Sequence, residues 1–311
     1  VKDASKRVTL RELVAKEQVF APCIWDCFSA QAAELNGFEA TLLSGGALSG
    51  CVAGMPDIGL ITADDLVRQT EFITQFSPLP CIIDADDGYG ETPLHAYRTT
   101  KRLAHAGAMA LTVDDTTGLR GYNRWGKELR SGMKDGTMKH PVITRDNWLA
   151  KMKASLEACE RTDCLLIART ECKLQYGLDE AIERCLRAIE LGAEMTLIIG
   201  LMNLEEAEYV SKHVPGWKMW PDVMSRNGVP DVRIEDLEPL GFNLVTMHIY
   251  EKAAMCGMLD FGKHVIRDRN TVYHDSHDMG LTPEEAKAFM GPSHDAHWFE
   301  KEARFYDLTK S

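Results

Sequence analysis

The 311 residues, 45% hydrophobic and 26% charged, can bury a large core and are too balanced in composition for long disorder. A net charge of −12 excludes a broad polyanion-binding surface, because nucleic acid and anionic membranes attract clustered Lys and Arg. Nine scattered cysteines without a CxxC pair read as reduced thiols of a cytoplasmic protein, and no apolar run of about 18 residues marks a targeting or membrane segment.

Short apolar or β-branched runs recur at 20–24, 40–43, 81–84, 110–114, 164–169, 195–199, 217–220 and 243–248. Helix signals fill the gaps between them. Thr62 and Asp65 frame a capping box ahead of Leu66. Leu178, Ile182, Cys185 and Ile189 form one apolar stripe, and Gly192 stands where a glycine would end that helix. Beyond about His274 the strand signal stops, and Thr282, Pro283 and Glu285 open a terminal helix. Near-continuous apolar strands alternating with amphipathic helices predict an α/β fold with a parallel sheet. The count of eight predicts closure into a (β/α)8 TIM-type barrel, with an open doubly wound sheet as the alternative. The expected organisation is a single barrel domain over 1–311, with 274–311 as a C-terminal helical extension.

In such a barrel the reactive groups come from the C-terminal ends of the strands. Those ends read Ser44-Gly45-Gly46, Asp84-Ala85-Asp86-Asp87-Gly88-Tyr89-Gly90, Asp114-Asp115 and Arg169-Thr170-Glu171. Carboxylates crowded at neighbouring strand ends repel one another unless a hard divalent cation compensates. Asp84 and Asp86, two residues apart, would point the same way on an extended segment and could share one ion. The alternative is an acidic turn whose glycines serve only its tight bends. His274, His277, His294 and His297 lie outside the barrel strands, without a third-ligand pattern, and are read as solvated or helix-terminal.

The run DADDGYG over 84–90 resembles the DAD-x-GYG signature of the isocitrate lyase/phosphoenolpyruvate mutase superfamily. LLSGGALSG with MPDIG (42–59), VDD (113–115), IARTE (167–171) and GLDEAIER with GAEM (177–195) are similar to further motifs of that superfamily, in the same order. The resemblance implies that Asp84 and Asp86 anchor Mg²⁺, with Mn²⁺ as the alternative. It also implies that Ser44, Gly45 and Gly46 hold a 2-oxo acid carboxylate, that Asp57 lies near the metal, and that Arg169 faces the substrate oxygens. Asp114 stands where the family usually has Glu, so it would reach the metal only through a water.

The loop after the fourth strand departs most from the family pattern. Lyases of the family carry KKCGH or KRCGH before GKE, whereas this chain has Arg120-Gly121-Tyr122-Asn123-Arg124-Trp125 before Gly126-Lys127-Glu128-Leu129. By this resemblance Tyr122 takes the place of the general-acid cysteine, with an aromatic that packs the closed loop as the alternative. The Glu expected after the sixth strand falls near Gly200 and the Asn expected after the seventh near Asp222, which disfavours isocitrate and methylisocitrate as substrates. The first reading is therefore a Mg²⁺-dependent carbon–carbon lyase acting on a substituted malate or related 2-hydroxy diacid, releasing pyruvate or glyoxylate. Its rivals are an oxaloacetate decarboxylase or hydrolase, a phosphonate-branch mutase or hydrolase, and a non-catalytic barrel that binds a 2-oxo acid. The partners expected are small-molecule acids, with neither nucleic acid nor membrane. Family resemblance also implies a homotetramer that exchanges a C-terminal helix between neighbours.

Overall fold

The structure, a computed structural model, describes residues 8–117, 142–226, 228–277, 281–283, 285 and 293–307. The loop segment that carries Tyr122 and the Gly126-Lys127-Glu128-Leu129 motif lies outside the described residues. The described chain falls into two compact units, one ending at Tyr250 and the other beginning at Glu251.

The first unit is a closed barrel of parallel strands, which removes the open-sheet alternative. Its strands are β1 (Val19–Ile24), β2 (Thr41–Leu43), β3 (Cys81–Asp84), β4 (Ala110–Val113), β5 (Leu165–Thr170), β6 (Met195–Ile198), β7 (Trp217–Trp220) and β8 (Phe242–Met247). Each boundary lies within one residue of the run read from the sequence. Neighbours pair in chain order, and β8 closes on β1 through Val19 opposite Leu244. Helix α1 (Leu10–Lys16) precedes the barrel, and α2 (Cys27–Leu35), α3 (Ala63–Phe76), α4 (Pro93–His105), α5 (Arg145–Cys159), α6 (Leu178–Glu190), α7 (Leu204–His213) and α8 (Ile234–Leu237) follow successive strands.

Strand residues divide between two environments, as a period of two requires. Val19, Ala21, Cys23, Leu42, Ile82, Ile167, Leu197 and Leu244 belong to one buried cluster inside the barrel, which Leu10 and Val14 of α1 join. Ile24, Leu43, Ile83, Val113 and Ala168 pack instead with helix residues such as Leu66, Ile73, Leu103 and Trp148. The Arg11 side chain of α1 donates to the Asp163 carbonyl at 3.0 Å and to Glu194 at 2.9 Å, at the entries to β5 and β6. That end of the barrel is therefore stoppered by α1, and chemistry is left to the other end.

Local signals hold where the sequence placed them. Thr62 and Asp65 exchange capping hydrogen bonds at the start of α3, as Thr282 and Glu285 do further on. Gly192, with φ +112°, donates to the Ile189 carbonyl at 2.9 Å and ends α6. In the second unit, α9 (Tyr250–Asp268) has no buried residue, and Met255, Met258 and Ile266 on it are exposed. His264 and His277 stack on Tyr273 with ring centroids 3.6 and 4.4 Å away, so these rings serve packing.

One buried ion pair ties β4 to α6. Arg184, 2% exposed, donates to Asp115 Oδ2 at 2.9 Å, to Glu180 at 3.0 Å and to the Ile143 carbonyl at 3.0 Å. Asp115 also accepts from the Thr170 hydroxyl and, at 2.8 Å, from the Glu171 backbone. Burial pushes its carboxyl up to about 6, against those hydrogen bonds and the guanidinium. Replacing Arg184 by Met strands the carboxylate and is expected to cost about 3–5 kcal/mol of stability in urea unfolding. Removing Arg184 raises the folded-state pKa of Asp115 further above its unfolded value of about 3.9, so the folded state holds that proton more tightly. The loss should therefore be larger at pH 8 than at pH 5, and the R184M/D115N double variant should recover most of it. Equal losses at the two pH values would show that the ion pair is not the cause.

Candidate active site

The inward-facing alternation does not stop where the apolar residues do. Two residues beyond interior Leu42, Ile82 and Ile167 come Ser44, Asp84 and Arg169; two beyond Thr112 and Thr246 come Asp114 and His248. Polar groups from six strands thus meet at the C-terminal mouth, with Cys23 of β1 among them.

Asp84 and Asp86 both aim at Gly45. A first side-chain carbon added at Gly45 would lie 3.7 Å from Asp84 Oδ2 and 3.6 Å from Asp86 Oδ1. The same atom at Gly46 would lie 2.8 Å from Asp57 Oδ2, inside van der Waals contact. The glycines therefore let three carboxylates close on the Ser44-Gly45-Gly46 turn, and the structure brings the anticipated Gly45, Gly46, Asp57, Asp84 and Asp86 together. The reason for the Asp84 and Asp86 convergence differs from the one read in the sequence. Asp86 is not extended: its φ is +47°, a left-handed conformation that costs a non-glycine residue about 1–3 kcal/mol. The chain turns at Asp86, and the turn rather than strand alternation points its carboxylate at Gly45.

Arg169, 9% exposed, is the cation of this cluster. One terminal nitrogen donates to Asp84 Oδ1 at 2.7 Å, the other bonds Glu171, and Nε lies 3.7 Å from Asp114 Oδ2. The Thr112 hydroxyl also donates to Asp84 Oδ1, at 3.2 Å. Asp114, fully buried, accepts from the backbone and hydroxyl of Thr116 at 2.8 and 2.6 Å. Its carboxylate supports the loop and Arg169.

The donor set suits a hard divalent cation that takes one or two carboxylates and keeps its waters. Asp84 and Asp86 would provide the oxygens, and Gly45 leaves the space. Among the described residues no group of three or more His, Cys, Asp or Glu side chains forms a preformed protein cage. A cavity of about 420 Å³ lies alongside, lined in part by Ile61, Asp86, Asp87, Tyr89 and Thr116.

Three contributors were not singled out from the sequence. Lys151 of α5, 1% exposed, donates to the Asp87 carbonyl at 2.9 Å and lies 3.6 Å from its carboxylate, pinning the acidic loop from outside. No local pattern signals that contact. Glu171 stands in the IARTE motif, but its pairing with Arg169 depends on side-chain direction. His248 follows the eighth strand, where the strand-end rule could have found it. Its Nε2 lies 3.2 Å from Ser44 Oγ, and its Nδ1 lies 3.2 Å from Asp222 Oδ2.

The acidic loop is sterically exacting. Gly88 has φ +85°, and a side-chain carbon there would lie 2.9 Å from the Ala96 Cα of α4. Gly88→Ala is expected to lose about 1–3 kcal/mol in urea unfolding. Gly50→Ala, with nothing within 4 Å of the added carbon, should change stability by less than about 0.5 kcal/mol. Equal effects of the two would mean that the loop tolerates what its geometry forbids.

Comparison with known proteins agrees with this architecture. A 2-methylisocitrate lyase of Aeropyrum pernix is 31% identical over 76% of this chain and 72% of its own length. A 2,3-dimethylmalate lyase of Eubacterium barkeri is 27% identical over 79% of this chain and 80% of its own. A crystal structure of phosphonopyruvate hydrolase with oxalate and Mg²⁺ superposes with a TM-score of 0.73, at 20% identity, over 94% of this chain and 96% of that one. The family model described as phosphoenolpyruvate phosphomutase matches residues 10–260. With a match of that extent and the barrel to go with it, the chain belongs to the phosphoenolpyruvate phosphomutase family, within the isocitrate lyase/phosphoenolpyruvate mutase superfamily of enzymes.

Proposed function

We propose that this chain is a Mg²⁺-dependent carbon–carbon lyase that cleaves a substituted malate or related 2-hydroxy diacid into a 2-oxo acid and a carboxylic acid. The observation that carries the reading is the convergence of Asp84 and Asp86 on the Ser44-Gly45-Gly46 turn, with Arg169 bonded to Asp84. Relatives named for 2-methylisocitrate and 2,3-dimethylmalate cleavage support the substrate class. The structural neighbour solved with Mg²⁺ supports the metal.

On this reading the Ser44-Gly45-Gly46 turn binds the carboxylate next to the reacting carbon, since backbone donors can approach closely where no side chain intervenes. Asp84 and Asp86 hold the cation, which supplies Lewis-acid stabilisation of negative charge on the substrate oxygens. Arg169 is steadied by Asp84, Asp114 and Glu171, so its planar fork meets the substrate already oriented. The substrate hydroxyl loses its proton to a carboxylate of the cluster, with Asp57 against Gly46 as the candidate acceptor. The bond between C2 and C3 then breaks, C2 becomes the carbonyl of the 2-oxo acid, and the electron pair passes to C3 beside the second carboxylate. Tyr122 is assigned as the donor that protonates C3; a phenol near pKa 10 is acid enough for so strong a base.

A panel of substituted malates, methylisocitrate, oxaloacetate and phosphonopyruvate, assayed for 2-oxo acid release with Mg²⁺ and with chelator, tests the reading. Substituted malates should be cleaved only with the metal, and Asp84→Asn should lower the rate at least about a hundredfold. Turnover confined to oxaloacetate or phosphonopyruvate would move the enzyme to another branch. Cleavage that survives the chelator would remove the metal from the mechanism. In the same assay Tyr122→Phe should lose about 10²–10⁴-fold in rate, and wild-type turnover by that variant would exclude Tyr122 as the acid.

A further inference from the structure

We infer that His248 and Asp222 are positioning residues that fix the Ser44 hydroxyl as a hydrogen-bond donor toward the carboxylate of the bound substrate. The inference rests on the assignment of the Ser44-Gly45-Gly46 turn made under the proposed function.

A serine hydroxyl has one hydrogen to give and two lone pairs that accept. At Ser44 the backbone N–H of Ala47 donates to Oγ at 3.2 Å, and His248 Nε2 lies 3.2 Å away. The other ring nitrogen lies 3.2 Å from Asp222 Oδ2, while Asp222 Oδ1 accepts the backbone N–H of His248 at 3.1 Å. One carboxylate thus grips both the ring and its main chain. An ionised carboxylate only accepts, so Nδ1 carries a hydrogen.

The state of Nε2 decides what Ser44 presents. In the imidazolium, Nε2 also carries a hydrogen and donates it to Ser44 Oγ. Both lone pairs of the serine are then engaged, and its own hydrogen is left for a ligand. In a neutral ring protonated at Nδ1, Nε2 accepts instead, draws in the Ser44 hydrogen, and leaves an oxygen lone pair facing an anionic substrate. One proton therefore converts Ser44 from a group that repels a carboxylate into one that binds it.

The groups that face the ring are Asp222 from the loop after β7, Cys23 of β1 and Ser44 after β2. Burial works against a charge on the ring, but hydrogen bonds to Asp222 and Cys23 outweigh it and push the imidazolium up to about 11. The charged ring also separates this row from the hydrolytic Ser-His-Asp triad whose composition it shares. An imidazolium cannot take the serine proton, so on this inference Ser44 binds the ligand and does not attack it.

Two measurements on the full chain test the inference. Imidazole ¹⁵N chemical shifts report the charge of His248 without any ligand, and calorimetry with oxalate and Mg²⁺ between pH 6 and 9 reports the binding site. In the wild type His248 should stay doubly protonated and oxalate affinity should be flat across this range. In Asp222→Asn combined with Cys23→Ala, which removes both groups that raise it, the ring pKa should fall toward about 6.5, and oxalate should bind about tenfold more weakly at pH 9 than at pH 6. His248→Leu should bind about tenfold more weakly at every pH, whereas His248→Gln, whose amide can still donate to Ser44, should stay within about threefold of wild type. A wild-type His248 that titrates near 6.5 while oxalate affinity stays flat would overturn the relay alone. So would pH-independent affinity in the variant that lacks both Asp222 and Cys23. A persistently charged His248 in a protein that binds no oxalate would overturn the assignment of the turn, and the inference with it.

Discussion

The constraint on which the rest of the site depends is the crowding of carboxylates around one guanidinium at the barrel mouth. Arg169 touches Asp84, Asp114 and Glu171, while Asp86 and Asp57 close on the adjacent glycine turn. Like charges at such separations are tolerated only where cations and directed hydrogen bonds offset them. The surrounding structure supplies both. Thr112 and Thr116 donate to Asp84 and Asp114, and Lys151 holds the acidic loop from outside the barrel. Left-handed Asp86 adds local strain that the fold must offset elsewhere, as functional loops commonly require.

Much of this was legible in the chain because barrel strands and their caps are local signals. Near-continuous apolar runs such as Cys81–Asp84, alternating with amphipathic stretches such as Leu178–Glu190, specify units whose only covered arrangement is a parallel sheet wrapped by helices. The DADDGYG run was equally legible, though for two different reasons. Its aspartates point to a cation, and Gly88 answers a steric demand from α4, so the acidic-turn reading and the functional reading describe one segment.

What the sequence concealed are contacts between groups far apart in the chain. Lys151 and Asp87 are separated by a strand and a helix, and nothing in the spacing of either predicts their meeting. Asp222 reads in sequence only as a departure from the Asn of related enzymes, and His248 only as the last residue of the eighth apolar run. Barrel closure between β1 and β8 makes them a pair and brings both to Ser44 on β2's far end. A substitution that looks like loss in one dimension becomes, in three, half of a hydrogen-bonded unit.

Charge balance joins these observations. Arg169 at the mouth already has carboxylate partners in Asp84, Asp114 and Glu171, and the His248 ring has one in Asp222. Among the described residues, a dianionic substrate entering beside Asp57, Asp84 and Asp86 would meet more carboxylates than cations, in a protein whose overall charge of −12 offers no long-range attraction. Neutral donors such as the Gly45 and Gly46 backbone and the Ser44 hydroxyl can orient the substrate, but they cannot cancel its charge. A compact positive ion where the carboxylates converge, as proposed, would supply that cancellation. Charge compensation is thus the physical argument for the proposed dication on Asp84 and Asp86, with the neutral donors left to orient the ligand.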